Sequence, residues 1–462
     1  MTVLADRPRS DRMTSAQRLV LVLLLGSQFM LAVDFSILNV ALPVIGSGLG
    51  FALAELQWVA TAFALAAAGF TLLFGRIADL FGRRRLFLIG MALLGVSSLA
   101  GGLATSPGLL LVARVAQGLA TAIVNPAGLA LLTTSFPEGP LRAKALGLNG
   151  ALMSAGFTSG AVLGGLLTEL LSWRWAFFVN VPVALAVLLA APAVLKESRP
   201  AERPRMDLPG AAAVTAGLLA LVFGLTRASE HGFADALSLG ALAAGAALLI
   251  AFWYVERRAA APLVPVTILA RPNVTWGNLA GLIAFATETS LVFLMTLYLQ
   301  KVLGYSALAT GLAFGVLGLG TVLGGVLAPR VIGRLGTGRA LAAGFGLQAV
   351  ATASLALLGT GPGWIWLLLA ATFAGGIGNM VAIVGFMVTA TSGLPDSEQG
   401  LATGLATMTQ QVGITMGIPV MSAVATAAMG TVLQGVIVAV LVNVALTFAG
   451  ALIPRKRSAM SN

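Results

Sequence analysis

The sequence predicts an all-α polytopic membrane protein of fourteen spans: two six-helix bundles plus two inserted transmembrane helices, with both termini cytoplasmic. Three observations predict it. First, 58% of the 462 residues are hydrophobic and only 9% are charged. A soluble domain carries roughly 25% charged residues, so a water-soluble globule is excluded. Disorder is excluded too, because it needs low hydrophobicity. Second, apolar runs long enough to cross a bilayer follow one another along the whole chain. Third, a basic loop pattern found after the second run returns in weaker form after the tenth.

A spanning helix needs ~20 mostly apolar residues. Runs between charged or Gly/Pro breaks cover 18–43, 56–75, 86–105, 108–132, 145–168, 175–195, 208–226, 236–256, 273–299, 306–328, 339–358, 363–388, 400–425 and 430–453. The first follows Arg7, Arg9, Arg12 and Arg18 and exceeds the ~7–15 residues of a cleavable signal core, so it is an uncleaved span. The runs at 208–226 and 236–256 are short and Ala/Leu-rich. An even count places both termini on one side. With the N-terminus inside, all of the 27 Lys and Arg residues except Arg114, Arg174, Arg227 and Lys301 lie on the cytoplasmic side, as the positive-inside rule requires. The net charge of +11 is therefore a topology signal and not a nucleic-acid footprint.

The repeated loops are Leu73–Phe87 and Leu327–Leu341. Aligned, they share Leu73/Leu327, Arg76/Arg330, Gly82/Gly336 and Arg85/Arg339, while Asp79 faces Gly333. One loop per half implies an N-terminal bundle over 1–195, a linker with the two inserted helices over 196–272, a C-terminal bundle over 273–453 and a cytoplasmic tail over 454–462. The stretch 196–207, basic and carrying Pro200 and Pro204, is the natural linker. Two such bundles about an axis along the membrane normal form a transporter plan, with the substrate between them.

Several chemistries are absent. There is no cysteine and one histidine, His231, so no disulfide framework, thiolate or metal cluster is expected. Neither a GxxxxGK[ST] nor an HExxH pattern occurs. An ion or substrate gradient must supply the energy, with no cofactor and no metal.

Gly75-Arg-Ile-Ala-Asp79-Leu-Phe-Gly82-Arg-Arg-Arg85 is the strongest local pattern. Gly75 and Gly82 permit a tight helix–loop–helix turn. Asp79, in an otherwise basic loop, can cap a helix or pair with arginine, so with Arg83 and Arg84 the segment is a candidate conformational latch. This segment resembles the signature loop of the major facilitator superfamily. Leu31-Ala-Val-Asp34-Phe-Ser-Ile-Leu-Asn39-Val-Ala-Leu-Pro43 resembles the first-helix motif of the fourteen-span drug:proton antiporters in that superfamily. An acid at this depth costs ~2.5–3.5 kcal/mol on insertion scales and must face a cavity or a partner.

Arg114 is the one basic residue inside a span, on a stripe with Gln117, Thr121 and Asn125. Leu111-Val-Ala-Arg114-Val-Ala-Gln117-Gly118 resembles the family's fourth-helix motif, and the resemblance implies a role in proton transfer. At ~1.5 Å per residue, Asp34 and Arg114 lie at similar depth in the outer half, so they are expected to pair. In the fifth span, Gly147, Gly156, Gly160, Gly164 and Gly165 have the spacing of the superfamily's antiporter motif, except that Ala161 stands where the motif has proline. Gly156, Gly160 and Gly164 form a face for close helix packing. Trp173-Arg174-Trp175 through Asn180 and Pro182 resembles the start of the sixth span in the fourteen-span group.

Glu288, near the middle of the ninth run, is the only acid at depth in the second half. It is a candidate proton carrier or recogniser of a cation, completing a proton-coupling set with Asp34 and Arg114. Asn39, Gln117, Asn149, Met153, Phe293, Tyr298, Met380 and Gln410 are candidate linings of a mixed polar and apolar substrate cavity.

The resemblance implies a proton-coupled secondary exporter of amphipathic drugs or antibiotics, working by alternating access in the cell inner (plasma) membrane; a monomer is expected, although the sequence itself leaves the oligomeric state open. Its partners are then a small amphipathic substrate, protons and the lipid bilayer. An importer or facilitator of a small metabolite is the alternative on the same fold. A membrane-embedded lipid enzyme would need a catalytic constellation that a chain without His or Cys at depth does not offer.

Overall fold

The computed structural model describes residues 13–51, 55–136, 140–197, 207–259, 262, 266–394, 396–428 and 430–460. Arg7, Arg9, Arg12 and residues 198–206 of the expected linker lie outside them. The elements are α1 (Ser15–Leu49), α2 (Gln57–Phe81), α3 (Arg83–Gly102), α4 (Pro107–Ser135), α5 (Pro140–Leu170), the short α6 (Trp175–Phe178), α7 (Asn180–Val194), α8 (Leu208–His231), α9 (Ala236–Glu256), the short α10 (Val266–Leu269), α11 (Pro272–Leu297), α12 (Ala307–Leu335), α13 (Thr337–Ser354), α14 (Ile365–Thr391), α15 (Asp396–Ala427) and α16 (Val432–Met460). Each apolar run of the sequence falls on one of them, α6 and α7 sharing a run. Among the described residues, eleven stretches are long and apolar enough to cross a membrane, or twelve with the two parts of α2 taken together.

Local sequence sets the helix ends. Thr14 opens α1 with a capping box, its hydroxyl accepting from the Gln17 amide while the Gln17 side chain accepts from the Thr14 amide. Ser106 caps α4 ahead of Pro107, the position where a missing N–H costs nothing. Asp235 caps α9 through the Ser238 amide. The Arg227 guanidinium donates to Asp235 at 2.7 Å and, with that cap, holds its carboxyl down at about 2. One feature differs from the sequence reading: the run at 175–195 breaks at Val179, between α6 and α7. α16 extends through Met460, into the tail expected from 454.

In the first half, α1 packs on α4, α5 and α7, α2 on α4, and α3 on α4 and α7. The second half repeats these pairings: α11 on α14, α15 and α16, α12 on α14, and α13 on α14 and α16. The halves meet reciprocally, α5 on α12 and α2 on α15. Outside the α2–α15 seam lies α8, whose Thr215 hydroxyl donates to the Gly69 carbonyl at 2.6 Å. α9 packs on α8. Large apolar side chains such as Leu189, Val350 and Trp366 are more than 70% exposed, as expected of a surface facing lipid tails rather than water.

At the end opposite the Asp79 loop, residues of both halves, among them Ile37, Ile45, Leu294, Leu299 and Phe314, join one apolar cluster. There the Gln300 amide donates to the Val40 carbonyl at 2.9 Å. This closes the space between the halves at that end.

α5 is a wedge. A Cβ on Gly156 would stand 2.7 Å from the Phe29 carbonyl oxygen, one on Gly160 would stand 2.8 Å from that of Val33, and one on Gly164 would strike that of Ile37. Gly165 faces the other way, where a Cβ would stand 2.5 Å from the Ala307 carbonyl oxygen on α12. α15 meets α11 in the same manner, with Gly413 over the Leu282 carbonyl and Gly417 over that of Ala286. The matched contacts set a register in which Phe29 corresponds to Leu282 and Val33 to Ala286.

Candidate functional site

The packing of α1, α3, α4 and α7 buries a polar network inside the first half. Asp34 is fully buried and Arg114 is 1% exposed. The Arg114 guanidinium stands 3.4 Å from the Asp34 carboxylate. It also donates to the Val59 carbonyl and to Gln117 Oε1, each at 2.9 Å. The Gln117 amide donates to Asp34 at 3.1 Å and to the Ser98 hydroxyl at 2.8 Å. Asn180, the first residue of α7, donates to Asp34 and, at 3.0 Å, to Ser98. The carboxylate thus has an opposite charge and two amide donors, the conditions under which a buried charge is tolerated. The expected pairing of the two residues is present, and Ser98 and Asn180 complete it. Ser98 carries no local sequence signal, and Asn180 stands in the sequence only within the stretch that resembles the start of the sixth span.

A cavity, the larger of the two that Glu288 lines, lies between the halves. Phe63 forms the partition: it lines this cavity, while its ring carries the Arg114 guanidinium 4.3 Å from its centroid. Phe35 lines the cavity as well and packs on Phe63 and Phe157 at centroid distances of 5.8 and 6.0 Å. Asn125, Thr121, Gln410 and Gln411 supply polar wall, and Met153, Met380 and Met387 supply adaptable apolar wall. The only charged side chain among the described lining residues is Glu288.

The repeat explains where Glu288 sits. Extending the loop alignment along the chain would set Asp34 opposite Glu288, 254 residues on. The glycine register, one residue shorter over α1 and α11, sets Asp34 opposite Thr287 and Phe35 opposite Glu288. Thr287 does occupy the equivalent interior place. Its hydroxyl accepts from the Gln348 amide at 3.1 Å and its carbonyl from Asn443 of α16 at 2.9 Å. Asn379 joins this uncharged network through Gln348 Oε1 at 3.4 Å. Glu288, one position on, turns to the cavity wall. It is half-buried and has no hydrogen-bond or ion-pair partner among the described residues.

At the Asp79 loop, Arg83 donates to Asp79 at 2.9 Å from Nε and approaches it at 2.8 Å from Nη2. Gly82 has φ +110, a conformation that disfavours a Cβ. Over it lies Glu197, which follows α7 and accepts from the Arg84 and Arg85 amides at 3.0 and 3.3 Å. An acid on the first turn of α3 is favoured by the helix dipole. Gly75 packs on Pro126 of α4. Glu197 carries no local sequence signal, since it lies more than a hundred residues from the turn it caps.

Of the residues expected to line a substrate cavity, Met153, Met380 and Gln410 line the central cavity. The others lie elsewhere. Gln117 is engaged with Asp34, and Asn39 is buried within α1. The Tyr298 hydroxyl donates to the Gly359 carbonyl at 2.7 Å, and Phe293 belongs to the apolar cluster at the closed end. Asn149 is half-buried, its amide 3.9 Å from the Met153 sulfur, and does not line the cavity.

Helices of spanning length, repeated pairings in two halves and a mixed cavity between them define a polytopic membrane protein of transporter architecture. The chain belongs to the Major Facilitator Superfamily, whose profile matches residues 24–418. It is 42% identical to the cephamycin export protein of Amycolatopsis lactamdurans, covering 88% of this chain and 85% of that one. It is 39% identical to a puromycin resistance protein of Streptomyces alboniger, over 88% and 82%. A lincomycin resistance protein of Streptomyces lincolnensis is 35% identical, over 87% and 82%. Among solved structures, the human organic anion transporter TETRAN superposes with a TM-score of 0.61 at 15% identity, over 96% and 100% of the two chains. The nucleoside transporter NupG superposes at 0.63 with 12% identity, over 96% and 99%. These two share the fold.

Proposed function

We propose that the protein is a proton-coupled exporter of amphipathic antibiotics in the plasma membrane, working by alternating access. It has fourteen spans with both termini cytoplasmic, two six-helix bundles over 1–195 and 273–453, and the α8–α9 pair inserted between them. The observation that carries this reading is the arrangement around Phe63, with a drug-sized cavity on one side and a buried Asp34–Arg114 pair on the other. Relatives named for antibiotic export or resistance support the substrate class.

Asp34 takes up a proton when the cavity opens outward. Neutralised, it releases its hold on Arg114, whose remaining partners are Val59 and Gln117. The guanidinium then shifts under Phe63, and the cavity wall changes shape as the charge changes. Glu288 faces the substrate directly and attracts a cationic one. The closed end around Gln300 and Val40 is the outer gate, and α5 rocks as a wedge between α1 and α12. On the opposite face the Asp79–Arg83 pair and the Glu197 cap hold the α2–α3 turn as a latch. A ligand shifts such an equilibrium only by its differential affinity for the two states, and the proton supplies that difference through Asp34.

The test is proton release from acid-loaded everted vesicles, followed with a pH-sensitive dye while tetraphenylphosphonium, puromycin, lincomycin or a cephamycin is added. Substrate-evoked proton release in wild type, lost in Asp34→Asn, is the expected result. Transport of a compound that leaves the proton gradient untouched would overturn the coupling and favour a facilitator.

A further inference from the structure

A second, much smaller cavity, with room for little more than a water-sized group, lies beside Glu288 among helices of the second half. Its wall includes Leu291, Met295, Phe314, Gln348, Thr372 and Asn379, and among the described residues Glu288 is the one that lines both this pouch and the central cavity. Asn379, 3% exposed, has an amide nitrogen that donates to the Ala284 carbonyl at 3.1 Å and to Gln348 Oε1 at 3.4 Å. The Ala284 carbonyl can only accept, which fixes the amide orientation. Asn379 Oδ1 is then left buried without a donor, a costly condition for a polar atom.

Ala284 lies one helical turn before Glu288. Side chains on a helix lean toward its N-terminus, so the Glu288 carboxyl reaches back to the level where Asn379 docks on α11. We propose that the pouch is a docking site for the protonated Glu288 side chain, with Asn379 Oδ1 accepting the carboxyl hydrogen. A carboxylate has no hydrogen to donate to that oxygen, and the remaining wall is largely apolar, so the pouch admits the acid only with its proton. The ionised side chain turns instead to the central cavity, where it meets a cationic substrate. Proton and cation thus exclude each other by the position of one side chain. The proton comes from cavity water and returns to it, and no covalent bond other than O–H changes. No other titratable or charged side chain lines either cavity among the described residues, and Asp34 and Arg114 lie behind Phe63 in the other half.

This inference rests on the reading of Glu288 as the cation-facing acid. It is tested by tetraphenylphosphonium binding to the full-length protein in nanodiscs as a function of pH. Wild-type affinity is expected to fall on acidification. Asn379→Leu removes the acceptor, so the midpoint of that fall is expected to move to lower pH by roughly half to one unit, while Glu288→Gln flattens the curve. A flat Glu288→Gln curve with an unmoved Asn379→Leu midpoint overturns the docking site alone. A Glu288→Gln curve like wild type overturns the reading of Glu288 itself. Should Asn379→Leu fail to fold, infrared difference spectra of wild type decide. The carboxylic C=O band assigned by its loss in Glu288→Gln should fall at the frequency of a hydrogen-bonded acid, and a band at the free-acid frequency overturns the proposal.

Discussion

Phe35 and Glu288 occupy equivalent places on the two helices that repeat each other, α1 and α11, and both face the central cavity. The first half presents an aromatic ring where the second presents an acid. The charge of the first half, Asp34, is instead buried one position earlier, at the place Thr287 holds in the second. The two acids therefore have different tasks: one is a buried switch, the other a residue of the cavity wall.

The wall position gives a charge-selective outcome. Glu288→Gln is expected to weaken tetraphenylphosphonium binding at least tenfold, corresponding to ~1.4 kcal/mol, while changing the affinity for an uncharged substrate by less than about twofold. Binding curves for both compounds on the purified protein check it. Equal losses for the two would mean that the residue shapes the cavity rather than reading charge.

The buried pair is expected to be asymmetric in what it tolerates. Arg114→Leu strands the Asp34 carboxylate away from its counter-charge, and losing one partner of a buried pair costs ~3–5 kcal/mol. The expected result is a protein with sharply reduced folded yield and melting temperature. Pairing the change with Asp34→Leu should recover most of the stability without recovering transport. Arg114→Lys should fold better than Arg114→Leu yet lose activity, because a lysine cannot bond Val59, Gln117 and Asp34 together from one planar group.

The α5 wedge separates packing glycines from tolerant ones. Gly160→Leu drives a side chain into the α1 backbone at Val33, and a clash with backbone has little room to relax. It is expected to abolish folded protein. Gly315→Ala, on α12, meets only the Val162 side chain at an ordinary 3.5 Å and should leave stability unchanged or raise it by up to ~1 kcal/mol. Thermal unfolding in detergent, followed by size-exclusion chromatography, distinguishes the two.

The latch should affect transport more than folding. The Asp79–Arg83 pair is partly exposed, at 25% and 17%, and such pairs contribute ~0–1 kcal/mol. Asp79→Asn is therefore expected to shift the melting temperature little while reducing the transport rate severalfold. Glu197→Gln should produce the same pattern, since it weakens the cap on α3. A large stability loss in either variant would show that the loop is structural.

Much of this was legible in sequence because it follows from local composition. Runs of ~20 apolar residues can only be satisfied as helices in a bilayer, so the long helices could be read directly, while the short α10 and the break between α6 and α7 could not. Asp34 and Arg114 could be matched because depth along a helix is countable. Rotation about the helix axis is not countable in an all-apolar segment, which is why Phe293 and Tyr298 looked like cavity residues and lie instead in the closed end. Non-local partners escaped for the same reason. Glu197 reaches the α3 amides, and Ser98 joins Asp34, only because other helices set their positions. The loop repeat also misled by one residue within the helices, enough to exchange a wall position for an interior one.

The most direct measurement is transport by purified protein in liposomes, comparing accumulation driven by an imposed pH gradient with exchange of labelled for unlabelled tetraphenylphosphonium in its absence. Wild type should perform both. Asp34→Asn should retain exchange and lose gradient-driven accumulation, which would assign the coupling to that carboxyl while leaving the cavity intact. Accumulation by Asp34→Asn at the wild-type level would contradict the central claim.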